Sequence, residues 1–369
     1  MKAVVFEEFG TVAVETVPDP EVGDDEALVE VDRVQLSVTE GMIYHGEASA
    51  YFEAIEERLR DGPAQLFGHE FVGRVVEVGD GVRTLSVGDR VYPPGKISCY
   101  ECEHCRRGYY HFCPNKETLG FHRPGGLAEM VAVPEAALCA LPENVSDAEG
   151  AAMQPFVSSM LCVHDADLTT GDVVAIVGGG VMGNQCGQAA LHMGASEVFV
   201  TDVEESKLAL AEEMGMTGID ATEADPVERI RSETDSIGAD VVFEAVGAGQ
   251  THATDGDDPL AQAHRIARRN GTVVQVGILT DDLTLDPRPY RNEMVDWVNP
   301  VDMTGTMPLG PNYDAGEMAA KFVSDDRVTL EPYVTHELDG LEKVEEAIEI
   351  TLNKDEYDAM GPAQLVLNE

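Results

Sequence analysis

The pattern of apolar and polar residues changes once along the chain and divides it into two parts. Up to about residue 155, short Val-rich segments alternate with Gly, Pro and Asp, which is typical of β-strands joined by turns. One interruption, Ser49 to Arg60, places its apolar residues on one helical face and ends at Asp61-Gly62-Pro63. We therefore predict a β-rich part with one helix, which lines a cleft or covers the domain. The predicted strands are Met1 to Phe6, Ala27 to Val34, Phe71 to Val78 and Leu127 to Val133.

From about residue 157 the pattern changes to strand, helix, strand. The new strands are continuous apolar or β-branched runs, as strands buried on both faces are, and Glu204 to Met214 has apolar residues at helical spacing. This alternation predicts an α/β fold with a doubly wound parallel sheet. The predicted strands are Val173 to Val177, Glu197 to Thr201, Asp240 to Phe243 and Thr272 to Val276.

The length of 369 residues exceeds what one hydrophobic core usually serves, so we expect two domains. We predict a β-rich domain over 1–156 and a cofactor domain over 157–308. The segment 309–369 contains a helix at Leu341 to Leu352 and a strand at Ala363 to Leu367. We expect this segment to return to the first domain.

Acidic residues dominate the composition. The formal net charge is -45, and only 24 residues are Lys or Arg. Such an excess of carboxylates repels itself in dilute salt, and molar salt screens it. We infer a halophilic source, an archaeon that accumulates KCl. The same charge would repel nucleic acids and anionic membranes, so neither is an expected partner.

The chain begins MKAVVFEEFG, which turns acidic where a signal peptide would be apolar, and no apolar run is long enough to span a bilayer. We therefore expect a cytoplasmic protein. Four of the seven cysteines lie within fifteen residues, which indicates thiolates that bind a metal rather than disulfides.

A phosphate-binding turn follows the strand at Val173 to Val177. Gly178-Gly179-Gly180-Val181-Met182-Gly183 matches G-x-G-x-x-G and precedes an apolar helix. Gly178 permits the tight turn, Gly180 lets the backbone approach a pyrophosphate, and Gly183 lets helix and strand pack closely.

Asp202 ends the next predicted strand, 19 residues after Gly183, where a carboxylate accepts hydrogen bonds from the adenosine ribose. No Arg or Lys follows it directly to neutralise a 2'-phosphate, so NAD is favoured over NADP. We also assign Val246, Gly247, Val276 and Gly277 to the cofactor-binding set.

Cys99, Cys102 and Cys105 are each separated by two residues, and Cys113 follows eight residues later. Four thiolates close a tetrahedral shell around zinc with no open position, so we predict a structural zinc lobe over 95–115.

The third motif is Gly68-His69-Glu70-Phe71-Val72-Gly73. With this motif, the cysteine lobe and the glycine turn in that order, the chain resembles the zinc-containing medium-chain alcohol, polyol and sugar dehydrogenases over nearly its whole length. The resemblance implies a GroES-like catalytic domain beside a Rossmann cofactor domain, and a dimer or tetramer. It also implies His69 as a catalytic zinc ligand and Glu70 as a nearby carboxylate that orients or joins the coordination.

Two positions depart from that family. The first catalytic ligand is a cysteine in a C-G-T-D segment, and here the segment reads Ser37-Val38-Thr39-Glu40, in which Thr39 still matches the hydroxyl of the proton relay. The third ligand in many members is a glutamate before proline, and here it is Gln154. A serine hydroxyl and an amide oxygen are poor zinc ligands.

Three alternatives follow. A second zinc binds through His69 and Glu70 with water, helped by Gln154 or by the segment Met42 to His45. Alternatively, no metal binds there and His45 or Tyr44 handles the proton, or the activity has been lost. A structural role for His45 and Tyr44 is the simpler interpretation.

We predict NAD-dependent, reversible oxidation of a secondary alcohol, polyol or sugar hydroxyl. Two rival classes are a zinc-independent NAD(P)H reductase of activated double bonds or quinones, and a noncatalytic NAD-binding protein. The departures at Ser37 and Gln154 favour the reductase, whereas the four-cysteine lobe argues against it.

Overall fold

A computed structural model of the chain describes residues 1–47, 50–247, 258–279, 287–300 and 305–368. The chain divides into two compact units: unit 1 is Met1–Ser158 with Asp302–Glu369, and unit 2 is Ser159–Val301. Within the described ranges, no helix is both long and apolar enough to cross a membrane.

Among its described residues, the first stretch contains the four strands that its alternating pattern predicts and four further strands. Its strands are β1 (Lys2–Glu8), β2 (Thr11–Thr16), β3 (Glu26–Gln35), β4 (Ala64–Gln65), β5 (Glu70–Val78), β6 (Arg90–Tyr92), β7 (Met130–Pro134) and β8 (Cys139–Ala140). Its helices are α1 (Val38–Tyr44), α2 (Phe52–Arg60), α3 (Glu103–Arg106), α4 (Asp147–Ala151) and α5 (Met153–Asp165), with 3-10 turns at Tyr110–Phe112 and Glu135–Ala137.

The middle stretch alternates strands and helices. The strands are β9 (Val173–Val177), β10 (Glu197–Asp202), β11 (Thr217–Asp220), β12 (Ala239–Glu244), β13 (Ala267–Gln275) and β14 (Asp296–Val298). The helices are α6 (Val181–Met193), α7 (Glu205–Glu213), α8 (Pro226–Glu233), α9 (Pro259–Ile266) and α10 (Pro287–Glu293).

The last stretch adds α11 (Ala315–Ser324), β15 (Glu337–Asp339), α12 (Val344–Leu352), α13 (Lys354–Tyr357) and β16 (Gln364–Val366), with 3-10 turns at Glu331–Tyr333 and Leu341–Lys343. The helix predicted from Leu341 therefore begins as a 3-10 turn.

Unit 2 confirms the predicted parallel sheet. In the part of the chain that the structure describes, six parallel strands follow the order β11-β10-β9-β12-β13-β14. Strand β9 lies in the middle because its Val-rich run is buried on both faces. The loop after β9 therefore leaves the carboxyl edge of the sheet at its centre, where doubly wound folds bind nucleotides.

Unit 1 is built on sheets that join distant parts of the chain. Within the described residues, one sheet has the order β15-β16-β3-β5-β6-β8, with β7 also paired to β3, and a smaller sheet has the order β2-β1-β4. Strand β16 pairs antiparallel with β3. The last stretch therefore completes the sheet on which β5, the strand that begins at Glu70, also lies.

Helix α2 covers the core of unit 1. Ile55 is fully buried in this core, and Phe52 and Leu59 pack against it. Ser49, the first residue of the predicted helix, lies outside the described residues. Tyr51, directly before α2, has a φ of 70°, a left-handed conformation that sets the direction in which the helix leaves the loop.

Candidate active site, cysteine lobe and cofactor turn

Ser37 begins α1 as its N-cap. The Ser37 Oγ accepts a hydrogen bond from the Glu40 amide at 3.1 Å, and the Ser37 amide donates to Glu40 Oε2 at 2.9 Å. This reciprocal capping box stabilises the first helical turn. At the position where the family has a cysteine ligand, the hydroxyl of this chain therefore forms part of a helix cap.

The same turn directs Glu40 toward His69. Glu40 is fully buried, and its Oε1 lies 2.7 Å from His69 Nδ1 and accepts from the Gly68 amide at 2.8 Å. Because a carboxylate only accepts, this contact places a proton on Nδ1 and leaves Nε2 as the nitrogen available for chemistry. Burial lowers the pKa of His69, but the charges of Glu40 and Glu70 outweigh it, so the net pKa is raised.

Glu70 lies on the other side of the imidazole. Its Oε1 is 3.5 Å from His69 Nε2, and its Oε2 accepts from Gln35 Nε2 at 2.6 Å. Gln364 Nε2 in turn donates to Gln35 Oε1 at 3.1 Å. Burial raises the pKa of Glu70 to about 7, and the Glu40 charge adds to the rise. The site can thus hold or release a proton near neutral pH.

Gly68 positions His69 through close backbone packing. Its φ is 81°, and a Cβ there would lie 2.4 Å from the Leu127 amide nitrogen. Only glycine fits both conditions.

Tyr44 and His45, the alternative proton donors, point to other partners. The Tyr44 hydroxyl donates to Glu345 at 2.7 Å, and burial raises the pKa of this phenol. His45 Nε2 lies 3.2 Å from Glu349 Oε1, and the His45 side chain is 40% exposed. Both therefore join α1 to α12, which agrees with the structural interpretation.

The donors at His69 do not match a catalytic zinc. Such sites use three strong protein ligands, and this one provides His69 and Glu70. Thr39 lies half-buried in the first turn of α1, and Gln154 Nε2 donates to Ser158 Oγ at 3.2 Å within α5. Within the described ranges, the four lobe cysteines are the one group of three or more Cys, His, Asp or Glu that can each offer one ligand atom within 4.8 Å of all the others.

The four cysteines do fit zinc. Their ligand atoms all lie within 4.8 Å of one another. The Sγ of Cys113 lies 3.5 Å from that of Cys99 and 3.9 Å from that of Cys102, and Cys99 and Cys105 are 4.0 Å apart. A tetrahedral site with Zn–S bonds of about 2.3 Å separates its sulfurs by about 3.8 Å. Zinc would here hold the lobe together and leave no position open for substrate.

The glycine turn in unit 2 has the geometry of a phosphate cradle. Gly178 has a φ of 98°, and a Cβ on Gly183 would lie 1.9 Å from the Gly178 carbonyl oxygen. A Cβ on Gly180 would meet nothing within 4 Å, which leaves its backbone open to a ligand. Gly180 is also the N-cap of α6, in which Val181 and Met182 are the first residues. The first amides of this helix therefore suit a pyrophosphate.

Asp202 ends β10 beside this turn. Its Oδ2 accepts from the Gly179 amide at 2.7 Å, and its Oδ1 accepts from the amides of Val203 and Glu204. A carboxylate has about four lone-pair positions, so one on Oδ2 remains for a ribose hydroxyl.

The remaining cofactor candidates surround Glu244 at the end of β12. Its Oε1 accepts from the amides of Val246 and Gly247, and its carbonyl accepts from those of Val276 and Gly277. A Cβ on Gly277 would lie 2.4 Å from the Gly247 nitrogen. These contacts hold the loops after β12 and β13 together at the same sheet edge as Gly178.

Glu40, Gln35 and Gln364 have no role in the predictions made from the sequence. The pair Ser37-x-x-Glu40 is a capping-box signature that could have located both α1 and the buried carboxylate. Gln35 and Gln364 have no such local signal.

Comparisons with known proteins agree with this organisation. Residues 23–143 match the alcohol dehydrogenase GroES-like domain, and residues 181–307 match the zinc-binding dehydrogenase domain. L-threonine 3-dehydrogenase from Cronobacter sakazakii is 31% identical over 271 residues, which cover 73% of this chain and 75% of that protein.

Two solved structures are also similar. A zinc-binding dehydrogenase from Sinorhizobium meliloti bound to NADP has 28% identity and a TM-score of 0.81, with 99% of this chain and 98% of that chain covered. An alcohol dehydrogenase from Thermus sp. ATN1 has 28% identity and a TM-score of 0.81, with 99% of each chain covered.

These findings confirm the GroES-like and Rossmann domains and the NAD(P)-dependent oxidation of a hydroxyl group. The chain belongs to the zinc-containing medium-chain alcohol dehydrogenase family.

Proposed function

We propose that His69 accepts the proton of a substrate hydroxyl while a hydride leaves the same carbon for NAD. Bound NAD would accept the hydride with the C–H electron pair, Nε2 of His69 takes the O–H proton, and the carbon–oxygen bond becomes a carbonyl. The observation that carries this proposal is the 2.7 Å contact between Glu40 and His69 Nδ1, since it leaves Nε2 as the basic nitrogen. Thr39 is proposed to pass the proton outward.

The proposed substrate is a secondary alcohol, polyol or sugar. L-threonine, which the relative from Cronobacter sakazakii oxidises, is one member of the panel that tests this. We propose NAD rather than NADP because Asp202 is followed by Val203 and Glu204, neither of which can neutralise a 2'-phosphate.

Turnover of purified protein with NAD and a panel of alcohols in molar KCl tests the activity through the formation of NADH. We expect His69→Ala to abolish turnover with every substrate that the wild-type protein oxidises. The matched control is His164→Ala, which changes an exposed histidine of unit 2. A variant His69→Ala with undiminished rate would remove this residue from the mechanism.

We also propose that the protein works in high salt. The charge of -45 supports this, because self-repulsion of this size falls when molar salt screens it. The free energy of unfolding should rise from dilute to molar KCl, and greater stability in dilute buffer would contradict the proposal.

A cytoplasmic location and a homo-oligomer complete the proposal. None of the seven cysteines is joined in a disulfide, and this supports a reducing compartment.

The proposed homo-oligomer is supported by the edge of the sheet in unit 2. Strand β14 ends the sheet order of unit 2 among the described residues, and its Trp297 is 38% exposed. Light scattering with size exclusion in molar KCl would show a dimer or tetramer, and a monomer would contradict it.

A further inference from the structure

A group of rings beside His69 carries a cationic side chain. The Phe121 ring lies 5.1 Å from the His69 ring, and Tyr51 stacks on Phe121 with ring centroids 4.6 Å apart. The Lys96 Nζ lies over the Tyr51 ring at 5.2 Å from its centroid. The ammonium is near enough to His69 to oppose the rise of its pKa. The proposed base and a lysine therefore lie in one cluster within unit 1.

His122 adds a second donor to the same cluster. Its ring meets Tyr51 edge-on at 5.7 Å, and its Nδ1 accepts from the Thr118 amide at 3.1 Å. The neutral ring therefore carries its proton on Nε2, and the residue is exposed. Partial burial of the ring, with help from the charges of Lys96 and Arg58, lowers the pKa of His122, so this ring serves as a neutral N–H donor.

The loop that carries these rings is held against the segment before His69. The Phe67 amide donates to the Gly120 carbonyl at 2.6 Å, and a Cβ on Gly120 would lie 2.5 Å from the Phe67 carbonyl carbon. Phe121 and His122 follow Gly120 directly. Their place relative to His69 is therefore fixed by backbone contacts.

The local charge also differs from that of the whole chain. From Lys96 to Arg123 the sequence has five basic and three acidic residues, whereas the chain has 24 basic and 69 acidic. The carboxylates of Glu40 and Glu70 make hydrogen bonds inside the protein, to Gly68 and Gln35 among others, and Glu117 lies within 3.9 Å of Arg123. Within this cluster, the positive charge of Lys96 acts on both His69 and His122.

We propose that Lys96 and His122 bind an anionic group of the substrate, a carboxylate or a phosphate, while His69 takes the proton of its hydroxyl. This inference rests on the proposed dehydrogenase function and narrows its substrate class to hydroxy acids or phosphorylated polyols. Lys96 provides the charge, the His122 Nε2–H provides a directed hydrogen bond, and the Tyr51 ring holds the ammonium in place.

The test compares matched substrates in molar KCl with NAD. The carboxylate arm uses 3-hydroxybutyrate against 3-hydroxybutanamide, and the phosphate arm uses sorbitol 6-phosphate against sorbitol. We expect the anionic member of one arm to have a kcat/KM at least about 10-fold higher, as a charged hydrogen bond provides. Lys96→Met should remove that advantage mainly through KM, and Lys96→Arg should retain it.

The matched control is Lys321→Met, which removes the positive charge of a lysine on α11 that pairs with Asp325. Equal kcat/KM for both members of each pair, or an advantage that survives Lys96→Met, would overturn the inference and leave the dehydrogenase function intact.

A binding measurement decides the inference without turnover. Calorimetric titration of the protein with inorganic phosphate and with malonate should show binding of at least one, weakened about 10-fold or more in Lys96→Met. If no alcohol in the panel is oxidised but this difference is present, the proposed activity fails and the anion site stands. No binding of either anion, or equal binding by both proteins, would overturn the site.

Discussion

His69 Nδ1 and Glu40 Oε1 lie 2.7 Å apart, and the carboxylate also accepts from the backbone just before the imidazole. One buried group thus fixes the tautomer, the ring orientation and the local backbone of the proposed base. It reaches this position because α1 begins with a reciprocal cap at Ser37.

Replacing this carboxylate should slow catalysis and move its pH dependence. We expect Glu40→Gln to lower kcat about 10- to 100-fold, the range for groups that orient a reactive histidine. The charge of Glu40 raises the pKa of His69, so its loss should shift the acidic limb of kcat/KM to lower pH. The pH profile of NADH formation measures both effects.

The control for this variant is Glu57→Gln, which changes an exposed glutamate on α2. If Glu40→Gln lowers thermal stability but leaves the pH profile in place, Glu40 acts only as a helix cap.

Elemental analysis should find one zinc per subunit, held by the cysteine lobe. Cys102→Ser should remove this zinc and lower the free energy of unfolding by about 2–5 kcal/mol, because binding energy at a structural site is folding energy. Cys139→Ser makes the same chemical change at a buried cysteine outside the lobe and should keep the zinc. Two zincs per subunit would show that the His69 site binds a metal after all.

Cofactor choice should depend on Asp202. We expect Asp202→Ala to raise the KM for NAD about 10-fold, and Asp202→Ser with Val203→Arg to favour NADP, because the arginine can pair with a 2'-phosphate. Asp220→Asn is the control, since Asp220 ends the neighbouring strand β11 and its Oδ1 accepts from the Thr222 amide. An unchanged preference between the two cofactors in the double variant would refute the assignment.

The sequence predicts strands well where one physical signal dominates. The boundaries of β9 match the apolar run Val173 to Val177 because a strand buried on both faces admits few polar residues. Strand β13 begins at Ala267, five residues before the predicted start, since Arg268 to Gly271 interrupt the apolar pattern. Helix α1 was missed because seven residues carry too little periodicity.

The support of the candidate site could not be predicted in the same way. The Gln364 side chain donates to that of Gln35 across 329 residues of sequence, and this contact depends on the register between β16 and β3. The spacing of residues along the chain does not reveal which residues of these two distant strands pair. The motif around His69 can be recognised in the sequence. The side-chain amides of Gln35 and Gln364, which support Glu70, are brought together only by the fold.

Asp32 on β3 should make stability depend on pH. Burial, together with the charge of Asp147, raises the pKa of Asp32 to about 6 from 3.8. Between these two pKa values the folded state keeps a proton that the unfolded state releases. The free energy of unfolding is therefore highest below about pH 4, and the contribution of Asp32 decreases as the pH rises to about 6. Asp32→Asn should therefore stabilise the protein above pH 6, by about 1–2 kcal/mol after allowance for solvent screening.

Urea unfolding of the Asp32→Asn variant between about pH 4 and pH 8 measures this difference. Asp80→Asn, at an exposed aspartate, should show no comparable trend. A constant difference between the Asp32→Asn variant and the wild-type protein across this range would mean that Asp32 has an ordinary pKa.

The discontinuity of unit 1 sets an order of events during synthesis. Strand β16 is translated after the whole of unit 2, yet it pairs with β3 and supplies the amide that supports Gln35 and, through it, Glu70. A nascent chain can therefore form its nucleotide-binding unit on the ribosome while the proton-handling site still lacks a neighbouring strand. Catalytic competence arrives late in translation, after cofactor binding is already possible.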